Sequence, residues 1–168
     1  SIMGLEDKET KDNSPKANMR KIMRIFAKTP VALAAFYRSR KGKKIISPKN
    51  NLSFSENFFY MCFGKVPNED IVKAFDVSLI LYAEHSFNVS TFTARTITSS
   101  LSDIHGAITG AIASLKGPLH GGANEEVMHM MSKIKKPENA LKWINKALDN
   151  KDVVMGFGHR VYKSGDSR

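Results

Sequence analysis

Apolar positions along the chain recur at helical spacing, and the residues between the runs are those of helix caps and turns. The clearest case is Ile104, Ala107, Ile108, Ala111, Ile112 and Leu115, which stand at i, i+3, i+4, i+7, i+8 and i+11 behind Asp103 as N-cap. Ser14-Pro15 opens another helix over residues 15–28, with Thr29-Pro30 expected to restart or kink it before 31–40 continue. Ser53-Phe54-Ser55-Glu56 is a capping box leading to a short aromatic helix that ends at Gly64. Asn68-Glu69-Asp70 starts the next helix, to about residue 85. Its Phe75, Val77, Leu79, Ile80, Leu81 and Tyr82 make it apolar nearly all round, a pattern that belongs inside a larger helical core. Residues 91–101 follow as a helix started by Asn88 and Ser90, although their β-branched residues also suit a strand. Helices at 124–134 and 137–148 precede a glycine-spaced loop at 153–159. The fold class predicted is all-α.

Gly106, Gly110 and Ser114 recur every four residues on one face of the 104–115 helix. Each interior glycine costs about 1 kcal/mol, so close backbone contact with another helix is expected to offset them, either inside the subunit or at a subunit interface. Lys116-Gly117-Pro118 and Gly121-Gly122 break the helical pattern on either side of His120, the best candidate for a hinge between two domains.

Composition narrows the class. Hydrophobic residues make up 42% and charged residues 25% of 168, the balance of a soluble globular protein. No apolar run approaches the ~20 residues that cross a bilayer, and no charged-then-apolar leader opens the sequence. A single cysteine, Cys62, fits a reducing compartment, so the cytoplasm is expected. The net charge of +10 admits nucleic acid or phosphorylated metabolites as partners. No aromatic residues interleave with the basic clusters at 38–44 and 133–136 to stack bases, so nucleic acid is not expected.

Five histidines carry the candidate chemistry. His105 and His129 lie within helices and are expected at the surface or satisfied by partners. His85, His120 and His159 each sit where a helix ends or a glycine-rich turn begins, in Glu84-His85-Ser86-Phe87-Asn88, Pro118-Leu119-His120-Gly121-Gly122 and Gly156-Phe157-Gly158-His159-Arg160. Such places present side chains and free backbone N–H groups to a ligand. No pair stands at the i, i+3 or i, i+4 spacing of a helical metal site. The residues alone leave metal binding and acid–base or oxyanion chemistry both open, and reach only a helical protein with a histidine-lined site for an anionic ligand.

Three ordered motifs resemble the citrate synthase family: residues 83–95 (Ala-Glu-His-Ser-Phe-Asn-Val-Ser-Thr-Phe-Thr-Ala-Arg), 115–125 (Leu-Lys-Gly-Pro-Leu-His-Gly-Gly-Ala-Asn-Glu) and 156–168 (Gly-Phe-Gly-His-Arg-Val-Tyr-Lys-Ser-Gly-Asp-Ser-Arg). The remainder from Asp12 onward is similar to that family's large helical domain, and the His-Ser-Phe-Asn and Gly-Asp-Ser-Arg forms lean towards its 2-methylcitrate or bifunctional branch. The resemblance implies a multi-helical fold present in part, with residues 1–120 from the large domain and 121–168 from the start of the small one. It implies an acyltransferase that condenses acetyl-CoA or propionyl-CoA with oxaloacetate, with CoA as leaving group, no metal and no other cofactor, in a homodimer with the 104–115 helix a candidate interface.

Roles carry over by position. His120 is the acid that donates to the thioester oxygen, with Ser90 orienting its ring and Asn88 supporting it. His159 polarises the 2-oxo acid's carbonyl, and His85 and Arg168 bind its carboxylates. Val154, Gly156, Phe157 and Gly158 meet CoA, and Lys163 one of its phosphates. Family members are longer, and the aspartate that removes the α-proton is expected beyond residue 168, so residues 1–168 alone are expected to be inactive. A citryl-CoA-cleaving module and a non-catalytic helical interaction fragment are the alternatives.

Overall fold

The computed structural model describes residues 1–84, 88–158, 162, 164 and 165. Among them all regular structure is helical: α1 (Ile2–Glu6), α2 (Pro15–Arg40), α3 (Phe54–Phe63), α4 (Glu69–Ala83), α5 (Val89–Ser99), α6 (Ile104–Leu115), α7 (Gly122–Ile134) and α8 (Ala140–Asp149), with a 3-10 turn at Pro137–Asn139 before α8. The all-α expectation holds, and α5 is a helix despite its threonines.

The caps form where the sequence puts them. Ser53 Oγ accepts from Glu56 N–H at 3.4 Å while Glu56 Oε2 accepts from Ser53 N–H at 2.8 Å, and Gly64 ends α3 at φ +80°. Asn68, Asn88 and Asp103 each accept from the N–H three residues on, at 3.1, 2.8 and 2.9 Å. Pro30 does not restart the helix: α2 runs through it as one element. Long-range packing holds the turn that proline weakens, with Phe26 stacked on Phe54 at 5.0 Å and Ala34 buried against Met61 and Cys62 of α3.

α6 lies along α5, and Gly110 shows why the two approach so closely. A Cβ there would stand 2.2 Å from Ile97 Cδ1. At this position the small-residue face is used inside the chain.

Residues 1–13 are fastened by charge. Arg24 Nη2 reaches Asp7 Oδ2 at 2.9 Å and Glu9 Oε2 at 2.8 Å, and Arg20 Nε reaches Glu9 Oε1 at 2.9 Å. Lys21, wholly buried, donates from Nζ to the carbonyl of Asp12 at 2.6 Å. His105 is not at the surface: it is 3% exposed, with Nε2 3.4 Å from Asp7 Oδ2 and Nδ1 3.6 Å from Asp103 Oδ1. His129 is exposed, 3.9 Å from Glu125 one turn back. The two arginines hold the Glu9 carboxyl down at about 2, Arg20 first and Arg24 second. Asp7 is lowered by the Glu9 N–H and then by Arg24, and Asp12 by the Ser14 N–H. A depressed carboxylate stabilises the fold above its unfolded pKa, near 4.5 for Glu9, and loses that contribution as pH falls towards about 2. Backbone NMR signals of residues 2–12 are therefore expected to move to random-coil positions between pH 5 and 2, ahead of those of α5 and α6.

α4 departs from its pattern. None of its residues is buried, and Ile80 is 72% exposed. It packs on α3 through Phe75, stacked on Phe58 at 5.4 Å, and through the Ser55 hydroxyl, which donates to Asp76. An apolar groove of about 350 Å³ opens between α2, α3, α4 and α6, lined by Phe26, Leu33, Phe58, Phe75, Leu79 and Ile108 among others. The accessible surface is 13360 Å², against about 8,300 Å² for a compact monomer of 18.7 kDa.

Candidate functional site

The turn between α6 and α7 is built to hold one side chain in place. Lys116 N–H returns to Ile112 O at 3.1 Å and closes α6. His120 N–H and Gly122 N–H both bond the carbonyl of Gly117, at 3.0 and 3.1 Å, and Gly121 N–H bonds Leu115 O at 2.9 Å. The double glycine is sterically required, because a Cβ on Gly121 would come within 2.4 Å of Leu115 O and one on Gly122 within 3.0 Å of Gly117 O. Leu119 is left 99% exposed at the outside of the turn, and His120, half-buried, points the other way, to the start of α5.

There the ring meets two groups of Ser90. His120 Nε2 lies 2.9 Å from Ser90 Oγ and accepts from Ser90 N–H at 3.2 Å. Ser90 is the second residue of α5, whose backbone N–H has no partner within the helix. Asn88, the N-cap, takes the next N–H, that of Thr91, at 2.8 Å on Oδ1, and the same oxygen lies 2.9 Å from Ser90 Oγ. An imidazole from another element thus shares the capping of α5. Nearby, Tyr82 Oη donates to Asn124 Oδ1 at 3.4 Å, linking the end of α4 to α7.

The expected site residues therefore divide. The structure brings His120, Ser90 and Asn88 together. Val154, Gly156, Phe157 and Gly158 form a loop in which Phe157 N–H bonds Val154 O at 3.2 Å, both glycines have positive φ (+89° and +75°), and Phe157 is 71% exposed. A Cβ on Gly156 would lie 3.5 Å from Val127 Cγ2, which places that loop beside α7. His85, His159, Lys163 and Arg168 lie outside the described residues. Among the described residues no cluster of three or more His, Cys, Asp or Glu side chains is placed to hold a metal ion. Cys62 is buried, and burial pushes its thiol pKa up, away from nucleophilic use. Sequence reasoning missed the Ser90 N–H as a partner of His120; Asn88 as N-cap was the available signal, since it leaves the following N–H groups exposed.

Residues 1–168 match the family model described as citrate synthase, C-terminal domain. The citrate synthase of Mycolicibacterium smegmatis is 52% identical over all 168 residues, and the 2-methylcitrate synthase of Mycobacterium tuberculosis strain Erdman is likewise 52% identical over 168. The chain spans 45% and 42% of their lengths, less than half of each. Among solved structures, citrate synthase from Thermoplasma acidophilum, in a ternary complex with carboxymethyl coenzyme A and oxaloacetate, superposes with a TM-score of 0.82 at 34% identity, covering 99% of this chain and 43% of that one. Citrate synthase from Thermotoga maritima gives a TM-score of 0.77 at 39% identity, covering 98% and 48%. The chain belongs to the citrate synthase family.

Proposed function

We propose that these residues supply the acid side of the active site of a citrate synthase or 2-methylcitrate synthase, which joins an acyl-CoA to oxaloacetate. The observation that carries this is the engagement of His120 Nε2 by Ser90 at the start of α5. The Ser90 N–H aimed at Nε2 favours the tautomer with the ring proton on Nδ1, where among the described residues no hydrogen bond uses it. A neutral imidazole fixed in that tautomer is a positioned N–H donor for the thioester oxygen as the α-carbon loses its proton and charge moves onto oxygen. The α-carbon then attacks the keto carbon of oxaloacetate, whose oxygen takes a proton from His159, while His85 and Arg168 hold the carboxylates. Water hydrolyses the thioester and releases CoA. The backbone of 154–158 and Lys163 take the CoA moiety.

Three further readings belong to this proposal. The base that takes the α-proton is an aspartate outside residues 1–168, so these residues alone do not turn over. The boundary near residue 120 divides the large domain from the small one, and the working enzyme is a cytoplasmic homodimer. Among the described residues no helix is long and apolar enough to cross a membrane. Titration calorimetry tests the assignment: the full-length protein carrying these residues is expected to give saturable heats with oxaloacetate and with CoA. A helical interaction domain would give neither, and that result would end the reading.

A further inference from the structure

Ser90 has one hydroxyl proton and two acceptors for it. Its Oγ lies 2.9 Å from Asn88 Oδ1 on one side and 2.9 Å from His120 Nε2 on the other. Asn88 Oδ1 is an acceptor only, fixed in that orientation by the Thr91 N–H at 2.8 Å. When the hydroxyl proton turns to His120, Nε2 receives it together with the Ser90 N–H, and the ring proton stands on Nδ1. When it turns to Asn88, the lone pair of Oγ faces the ring and favours a proton on Nε2, leaving Nδ1 bare. The backbone N–H supports the first arrangement and the amide oxygen of Asn88 the second. The change of tautomer moves one proton, lost from Nδ1 to water and gained by Nε2 from water, and it gives up the bond from the Ser90 N–H to Nε2.

We propose that Asn88 is a positioning residue that sets the tautomer of His120 by competing for the Ser90 hydroxyl proton. Its consequence for catalysis rests on the reading of His120 as the acid, since only the Nδ1–H form donates towards the thioester. The proposal assigns Asn88 a task separate from capping α5, and the two are distinguished by charge. Aspartate caps a helix as well as asparagine does, but its carboxylate draws the hydroxyl proton more strongly. Alanine removes the competing acceptor.

The experiment is two-bond 1H–15N correlation NMR of the full-length enzyme labelled with 15N-histidine, at a pH where the ring is neutral, with the His120 signals identified by their loss in His120→Gln. Asn88→Asp is expected to raise the Nε2–H population of His120, and Asn88→Ala to lower it. In a Ser90→Ala background the effect of Asn88→Asp is expected to vanish, because the relay is gone. Shifts in the same direction, no shift in Asn88→Asp, or an Asn88→Asp shift that survives in the Ser90→Ala background would each overturn the proposal. Activity is read separately. Asn88→Asp is expected to lower kcat about tenfold with little change in KM. Tautomer shifts of opposite sign without a kcat change leave the proposal standing and remove His120 as the acid.

Discussion

Replacing His120 with alanine in the full-length enzyme will lower turnover by at least ~100-fold, the scale of losing a positioned acid. The geometry gives the reason. His120 is placed by its turn, where its own N–H bonds Gly117 O and the Gly121 N–H bonds Leu115 O, and by two contacts from Ser90. The loss should fall on kcat, because a donor to developing charge acts mainly in the transition state. Release of CoA, followed with a thiol reagent at saturating oxaloacetate, measures it. Turnover within a few fold of wild type would remove His120 from the mechanism.

Gly121→Ala is expected to be nearly as damaging without touching any substrate. The new methyl would sit 2.4 Å from the carbonyl oxygen of Leu115, and that oxygen belongs to the end of α6 and already receives the Gly121 N–H. Neither partner can turn aside, so the turn must open and carry His120 away from Ser90. A displacement of about 1 Å at a catalytic group costs on the order of 100-fold in rate. Gly110→Ala is the matched control, although its clash is nominally worse at 2.2 Å. Its methyl meets only Cδ1 of Ile97, the tip of a flexible side chain, which can rotate away at the cost of an unfavourable rotamer, about 1 kcal/mol. Thermal melts and CoA release on both variants separate the two cases: Gly110→Ala should lower Tm modestly and keep most activity. Equal activity losses in the two would show that the α6–α7 turn has no special hold on the site.

The caps were legible because their partners lie within three residues. Ser53 with Glu56, Asn68, Asn88 and Asp103 all do what their spacing predicts. What escaped depends on residues far apart in the chain. Pro30 argued for a restart or a kink, and the restart is absent: Phe26 against Phe54 and Ala34 against α3 hold α2 as one element. His105, expected at the surface or satisfied by a partner, takes the second course, but nothing local in the sequence named Asp7 as that partner. In the site, family resemblance singled out His120, Ser90 and Asn88, yet the bond from the Ser90 backbone joins positions 30 apart and no local pattern announces it. α4 is the opposite failure, where a correct reading of apolarity met only partial cover, from α3, and left none of its residues buried.

That uncovered surface governs how these residues behave at ordinary concentrations. With α4 and the groove beside α2 open to water, attraction between molecules is built in, and a net charge of +10 is what opposes it. The balance is colloidal and set by electrolyte. As the Debye length shrinks from about 30 Å at 0.01 M salt to about 8 Å at 0.15 M, repulsion between like-charged copies is screened while greasy contact is not, and clustering follows.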